Sequence, residues 1–291
     1  MKIPEFKGCG TALVTPFFDG GEVNYEAFGA LVSRQVEGGV DFLVPLGTTA
    51  ETPTLDPMER VALLDITHDC ADGKPLLVGC GSNSVRGTLA QMQILEGSAA
   101  DAWLVVVPFY NKPTQEGMYQ YFKAIAAEST KPVVMYNVPG RTGVNMLPET
   151  AVRIAREIPG IMGIKEASGK LEQAAQIVAE APSDFVVLSG DDDLTLDMMK
   201  AGARGVISVA SNILPDKVSA MTRAALEGRW EEAGVLNSEL APLYKACFVE
   251  SNPIPAKAAL SLLGLCTDEM RLPLVPASES TRERMKEVLG L

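Results

Sequence analysis

Short runs of apolar and β-branched residues recur along the chain at 9 to 14 (CGTALV), 41 to 46 (DFLVPL), 75 to 80 (PLLVGC), 102 to 107 (AWLVVV), 132 to 136 (PVVMY), 161 to 165 (IMGIK), 185 to 189 (FVVLS) and 205 to 209 (GVISV). Each has strand length and is followed by polar or Gly-rich residues. Between them the apolar positions change to a 3.6-residue period, as in NYEAFGALVSRQVEGG, DPMERVALLDITHDCADG and LPETAVRIAREIPG. A capping residue or Pro opens each of these helices and Gly or Pro closes it. Eight strands alternating with helices predict an α/β fold, a (β/α)8 TIM barrel over residues 1–226. A doubly wound nucleotide-binding sheet fits less well. The first strand leads into Thr15-Pro16, and Gly79-Cys80-Gly81 has no third Gly in register for a dinucleotide loop. After residue 226 only helical patterns remain, so 227–291 is predicted to be a C-terminal helical region.

Composition narrows the chemistry more than the fold. A length of 291 residues and a hydrophobic fraction of 47% suit one barrel with an appendage. The net charge of -12 repels nucleic acid and anionic membrane surfaces, so neither is an expected partner. No apolar stretch approaches the roughly 18 residues of a spanning helix. The opening MKIPEFKGCG lacks the apolar core of a signal peptide, and a cytoplasmic location is expected. The five cysteines are odd in number and contain no C-x-x-C pair, which predicts reduced thiols. His68 is the only histidine. A histidine zinc site, a Ser-His triad or a Cys-His dyad within one chain is therefore not expected, nor is a metal or cofactor. His68 itself, in THDCADG, is expected at a helix end on the surface.

In a barrel the active site forms at the C-terminal ends of the strands, which here carry Thr15, Gly47-Thr48-Thr49, Gly81, Pro108-Phe109-Tyr110, Tyr136-Asn137, Lys165-Glu166, Gly190-Asp191 and Val209-Ala210-Ser211. Lys165 closes an apolar run, where alternation points it into the barrel mouth. An amine withdrawn from water among apolar side chains is a nucleophile toward carbonyls. The pattern equally allows a lysine that snorkels to solvent from a strand end. Tyr136 ends the preceding strand, about 4.8 Å away, and is either a proton shuttle for Lys165 or a barrel-core tyrosine. Thr48 and Thr49 offer hydroxyls and backbone N–H groups to a carboxylate, or alternatively cap the next helix. Arg141, in a Pro/Gly-rich loop above Tyr136, is placed to clamp a second carboxylate, although a surface arginine is the default. Asp191-Asp192-Asp193 suit the positive end of a helix dipole better than a cation site.

Taken as an ordered set, Gly47-Thr48-Thr49-Ala50-Glu51, Tyr136-Asn137-Val138-Pro139-Gly140-Arg141-Thr142-Gly143 and Gly163-Ile164-Lys165-Glu166-Ala167-Ser168-Gly169 resemble the dihydrodipicolinate synthase family of pyruvate-dependent aldolases. The likeness runs the full length, through Ser189-Gly190-Asp191-Asp192 to Phe248-Val249-Glu250-Ser251-Asn252-Pro253-Ile254-Pro255. It implies condensation of pyruvate with L-aspartate 4-semialdehyde through an imine on Lys165, with Tyr136 moving protons. It further implies that Thr49 relays protons between Tyr136 and a neighbouring subunit's Tyr110, in a homotetramer built as a dimer of dimers. Thr48 would assist and bind the pyruvate carboxylate, Gly190 and Ile207 would line the pocket, and Arg141 would hold the semialdehyde carboxylate.

Two departures follow. Ala50 stands where the family often has Gly, which is tolerable unless φ there is positive. At positions that meet inhibitory lysine in regulated members, this chain has Gly87, Pro57, Arg60 and Phe109, so weak or absent lysine inhibition is expected. An N-acetylneuraminate or 2-keto-3-deoxy sugar acid lyase is the nearest rival. Arg141 and the paired Thr48-Thr49 favour a carboxylated acceptor over a sugar. A catalytically silent barrel and a metal-dependent aldolase are more distant alternatives.

Overall fold

In the computed structural model, which describes residues 5–291, the eight predicted strands form one parallel sheet. They are β1 (Gly8–Ala12), β2 (Phe42–Val44), β3 (Leu77–Gly79), β4 (Ala102–Val106), β5 (Val133–Asn137), β6 (Ile161–Glu166), β7 (Val186–Ser189) and β8 (Gly205–Ser208). The hydrogen-bonded order is β2-β1-β8-β7-β6-β5-β4-β3. Closure between β2 and β3 comes from a parallel bridge between Leu43 and Leu76, where Leu43 N–H donates to Pro75 O at 3.0 Å and Gly79 N–H to Pro45 O at 2.9 Å. The predicted barrel is therefore present, with each strand inside or overlapping its predicted run.

The crossover helices are α1 (Tyr25–Glu37), α2 (Pro57–Cys70), α3 (Val85–Ile94), α4 (Gln115–Glu128), the short α5 (Pro139–Thr142), α6 (Pro148–Glu157), α7 (Leu171–Glu180), α8 (Thr195–Lys200) and α9 (Pro215–Leu226). Their starts follow from side-chain caps. Asn24, Ser84 and Thr114 each accept from a backbone N–H three residues on. Asp56 and Glu59 form a reciprocal capping box with Pro57 at the first position of α2. His68 lies exposed in the last turn of α2, as its polar surroundings predict.

Alternation along the strands divides the apolar residues into two cores. Phe42, Val44, Leu77, Leu104, Val134, Tyr136, Leu188 and Ile207 fill the barrel interior. Their neighbours Leu43, Val78, Trp103, Val105, Met135, Val187 and Val206 face the helices. Gly10 faces inward where a Cβ would lie 2.1 Å from the Phe42 ring, and Phe42 packs edge-on against Phe6. Only a residue without a side chain fits beneath that ring.

Beyond residue 226 come α10 (Trp230–Ala246), α11 (Ile254–Leu262) and α12 (Glu279–Leu289). α10 lies along α9, while the segment entering α11 turns back to the barrel mouth. Among the described residues no helix is long and apolar enough to cross a membrane.

Candidate active site

Lys165 reaches the barrel interior through an irregularity. Ile161 pairs with Val133 and faces the helices, so strict alternation along β6 would send residue 165 outward as well. The register slips between Val133 and Val134, whose partner is Gly163, leaving Met162 as an extra residue. This bulge reverses the parity, so that Ile164 faces the helices and Lys165 the interior. Lys165 is directly paired with Tyr136, and its Nζ stands 4.4 Å from the centre of the Tyr136 ring. Both side chains are buried, and Lys165 makes no ion pair among the described residues.

The next residues on the same strands face the other way and lock this pair. Glu166 accepts from Asn137 Nδ2 at 3.0 Å, Gln173 Nε2 at 3.2 Å and Ser168 N at 2.8 Å. Burial pushes the Glu166 carboxyl upward, while these donors pull it back. The network joins β5, β6 and α7 directly beside the lysine and tyrosine.

On the far side of Lys165, a Cβ on Gly190 would lie 2.5 Å from Ala167 Cβ and 2.9 Å from Lys165 Cε, so any side chain here would crowd both. Asp191 follows. Burial raises its carboxyl to about 6 against the opposing pull of the Lys165 charge. Asp192 and Asp193 lie in the first turn of a short 3₁₀ helix that leads into α8, as the helix-dipole expectation has it, but Asp192 has a further role. Its Oδ2 accepts from the Val209 and Ala210 N–H groups, both at 3.0 Å, and so ties the end of β7 to that of β8. Ile207, wholly buried two residues before Val209, is fixed by this tie against the inner core.

The third wall is the turn after β2. Thr48–Ala50 forms a 3₁₀ turn whose capping residue is Gly47, and α2 is capped by Asp56 instead, so the threonines are free of that duty. Ala50 has no positive φ; the left-handed residue is Glu51, at φ 53°. Ala50 O accepts from Thr15 Oγ1 at 2.8 Å, which anchors the turn to the end of the first strand. Glu51 is held by a buried ion pair with Lys257 Nζ at 2.9 Å and accepts from Arg271 N at 3.2 Å. Thr49 Oγ1 accepts from Asn252 Nδ2 at 2.9 Å. Arg141, at the mouth on α5, donates through Nη2 to the Asn252 carbonyl at 3.2 Å.

These walls open on a cavity of about 480 Å³ whose lining includes Thr48, Tyr136, Arg141, Asn252, Phe109 and Arg60. Arg60 donates to the Leu55 and Thr52 carbonyls at 3.0 and 2.9 Å. Of the predicted site residues, Thr48, Tyr136 and Arg141 line this cavity; Lys165, Thr49, Gly190 and Ile207 join the site through the contacts described above, and Tyr110 joins through none of them. It is 86% exposed with φ 72°, on a loop where its N–H meets Thr142 O. The sequence reading missed three contributors: Asp192, Asn252 and the Glu51–Lys257 pair. The first was visible only as an acid cluster, and the others depend on contacts more than 200 residues apart, 203 for Asn252 with Thr49 and 206 for Lys257 with Glu51.

Comparison with known proteins identifies the family. The family profile described as the dihydrodipicolinate synthetase family matches residues 5–290. The chain is 50% identical over 288 residues to the 4-hydroxy-tetrahydrodipicolinate synthase of Thermotoga neapolitana, covering 98% of each. The crystal structure of dihydrodipicolinate synthase from Thermotoga maritima superposes with a TM-score of 0.96 at 48% identity, covering 98% of both chains. A structure described as the first monomeric dihydrodipicolinate synthase variant also gives a TM-score of 0.96 at 48% identity, over 98% of this chain and 96% of that one.

Proposed function

The chain belongs to the dihydrodipicolinate synthetase family, and from that premise we propose how its residues divide the family's reaction. The reaction is the condensation of pyruvate with L-aspartate 4-semialdehyde to 4-hydroxy-tetrahydrodipicolinate, a step of lysine and diaminopimelate biosynthesis. Lys165 Nζ attacks the pyruvate ketone, the carbinolamine loses water, and an imine links C2 to the lysine. Loss of a C3 proton gives an enamine. Its C3 attacks the aldehyde carbon of the second substrate, and the new alkoxide takes a proton. The amino group of that substrate then attacks C2 and expels the Lys165 amine, closing the ring.

Tyr136, whose ring faces the Lys165 nitrogen, moves the protons of these steps as a neutral donor and acceptor. Thr48 and the backbone of its turn hold the pyruvate carboxylate, and Thr49 relays protons to and from Tyr136. Arg141 holds the semialdehyde carboxylate through the guanidinium edge that Asn252 does not occupy. Gly190 and Ile207 shape the pocket around the imine. Tyr110 completes the relay of a neighbouring copy in a homo-oligomer, a tetramer formed as a dimer of dimers. Its exposed ring on a loop at the mouth supports this, as does the description of one relative as a monomeric variant, which implies larger assemblies elsewhere. Five unpaired cysteines suit a reducing compartment, and the proposal places the enzyme in the cytoplasm.

The observation that carries the reading is a buried lysine at the mouth of the barrel, facing a tyrosine and free of any ion pair among the described residues. A coupled assay tests the acceptor. Turnover with L-aspartate 4-semialdehyde, and none with 2-keto-3-deoxy sugar acids or N-acetylneuraminate, is expected. The opposite preference would assign the site to a sugar-acid lyase.

A further inference from the structure

Asn252 comes from the helical region, yet its side chain is 5% exposed and lines the cavity beside Thr48, Tyr136 and Arg141. Its Nδ2 donates to Thr49 Oγ1 at 2.9 Å, and its Oδ1 is buried without a partner. This orientation leaves one oxygen unmet, whereas the flipped amide would strand two N–H groups. A hydroxyl that accepts from an amide spends a lone pair and keeps its own proton free to donate elsewhere. The Asn252 main-chain carbonyl, separately, accepts from Arg141.

We infer that Asn252 is a positioning residue that fixes the direction of proton transfer through Thr49, by holding the threonine hydroxyl as an acceptor so that its proton is available to the Tyr136 side. The inference rests on the relay role proposed for Thr49. Its two contacts are separable: the side chain governs the relay, and the main chain, which any substitution keeps, supports Arg141. Loss of the side chain therefore lowers turnover and leaves binding of the semialdehyde intact.

The test compares Asn252→Ala, Asn252→Asp and Thr49→Val with the parent, varying both substrates in the coupled assay and recording thermal melting. Asn252→Ala is expected to lose about tenfold or more in kcat, within the range of a displaced proton relay. Asn252→Asp is nearly isosteric, so it keeps the packing even if the alanine variant fails to fold. It is expected to be slower still, since a carboxylate only accepts and captures the Thr49 proton. The KM for the semialdehyde should stay within about threefold for both, because the contact to Arg141 is main-chain. A purely packing role predicts the reverse order, with Asp milder than Ala. That order, a kcat within twofold of the parent in both variants, or a loss confined to the semialdehyde KM would overturn the inference. If Thr49→Val is inactive while the Asn252 variants are active, the relay reading stands and only the inference fails. An active Thr49→Val removes both.

Discussion

Among the described residues two lysines are buried, Lys165 in the barrel and Lys257 in the helical region, and each faces an aromatic ring: Lys165 stands 4.4 Å from the Tyr136 ring centre and Lys257 stands 4.2 Å from that of Phe17. They differ in their other partners. Lys257 Nζ meets Glu51 at 2.9 Å with neither side chain exposed, and burial pulls its pKa down while Glu51 holds it up. Among the described residues Lys165 has no such carboxylate within ion-pair distance, although Asp191 feels its charge. An ion-paired lysine must break a buried contact before its nitrogen can attack a carbonyl, whereas Lys165 has none to break. Burial alone thus does not mark the reactive amine; its partners do. Lys257 serves the site indirectly, since Glu51 closes the turn that carries Thr48 and Thr49.

Exchanging the roles of the two lysines is the strongest way to break this comparison. Lys165→Ala should remove at least about 10³-fold of kcat, the scale of a lost covalent step, with thermal melting close to the parent. Lys257→Met should instead destabilise the fold by about 3–5 kcal/mol in denaturant titration, because it strands Glu51 as a buried charge. Adding Glu51→Gln should recover part of that loss, and a simple sum of the two single effects would contradict the pairing.

Smaller changes sharpen the contrast around Lys165. Tyr136→Phe keeps the ring over the nitrogen but removes the phenol proton, and kcat should fall about 10²-fold or more in steady-state assays. Asp191→Asn probes the nearby carboxyl, whose pKa is raised from 3.8 to about 6. A raised carboxyl binds its proton more tightly when folded, so stability is lost as pH rises from 3.8 through about 6. The asparagine variant should therefore be more stable than the parent by about 1–2 kcal/mol at pH 7, allowing for partial exposure, with the gap closing below about pH 4. Melting curves across pH decide this, and a gap that widens in acid would contradict the assignment. The smallest effect concerns Arg60, which lines the cavity where a cationic effector would approach. L-lysine at about 1 mM should change the rate by less than twofold, since like charges repel there. Strong inhibition at that concentration would show another lysine site.

The eight strands were legible because buried parallel strands read as short β-branched runs, and Lys165, Tyr136 and the threonine turn were legible as strand ends. The inward direction of Lys165 was legible for the wrong reason. Simple alternation from Ile161 would turn it toward the helices, and only the bulge at Met162 brings it in, a feature that one apolar run does not announce. Asp192 resembled a helix-dipole acid because its backbone N–H partners, Val209 and Ala210 just beyond β8, are 17 and 18 residues away. Asn252 and Lys257 were illegible for a stronger version of the same cause. Their partners lie across the chain, and nothing local to Ser251-Asn252-Pro253 encodes a contact with Thr49. Local pattern specifies elements and their ends; the links that tie a C-terminal helix to a loop near the N-terminus exist only after folding.

The claim that Lys165 and not Lys257 carries the chemistry is tested most directly by trapping. The protein is incubated with pyruvate and sodium borohydride, digested, and mapped by mass spectrometry. One reduced pyruvate adduct on the peptide bearing Lys165, absent from Lys165→Ala and absent from the Lys257 peptide, is the predicted result. No adduct, or an adduct on any other lysine, contradicts the account.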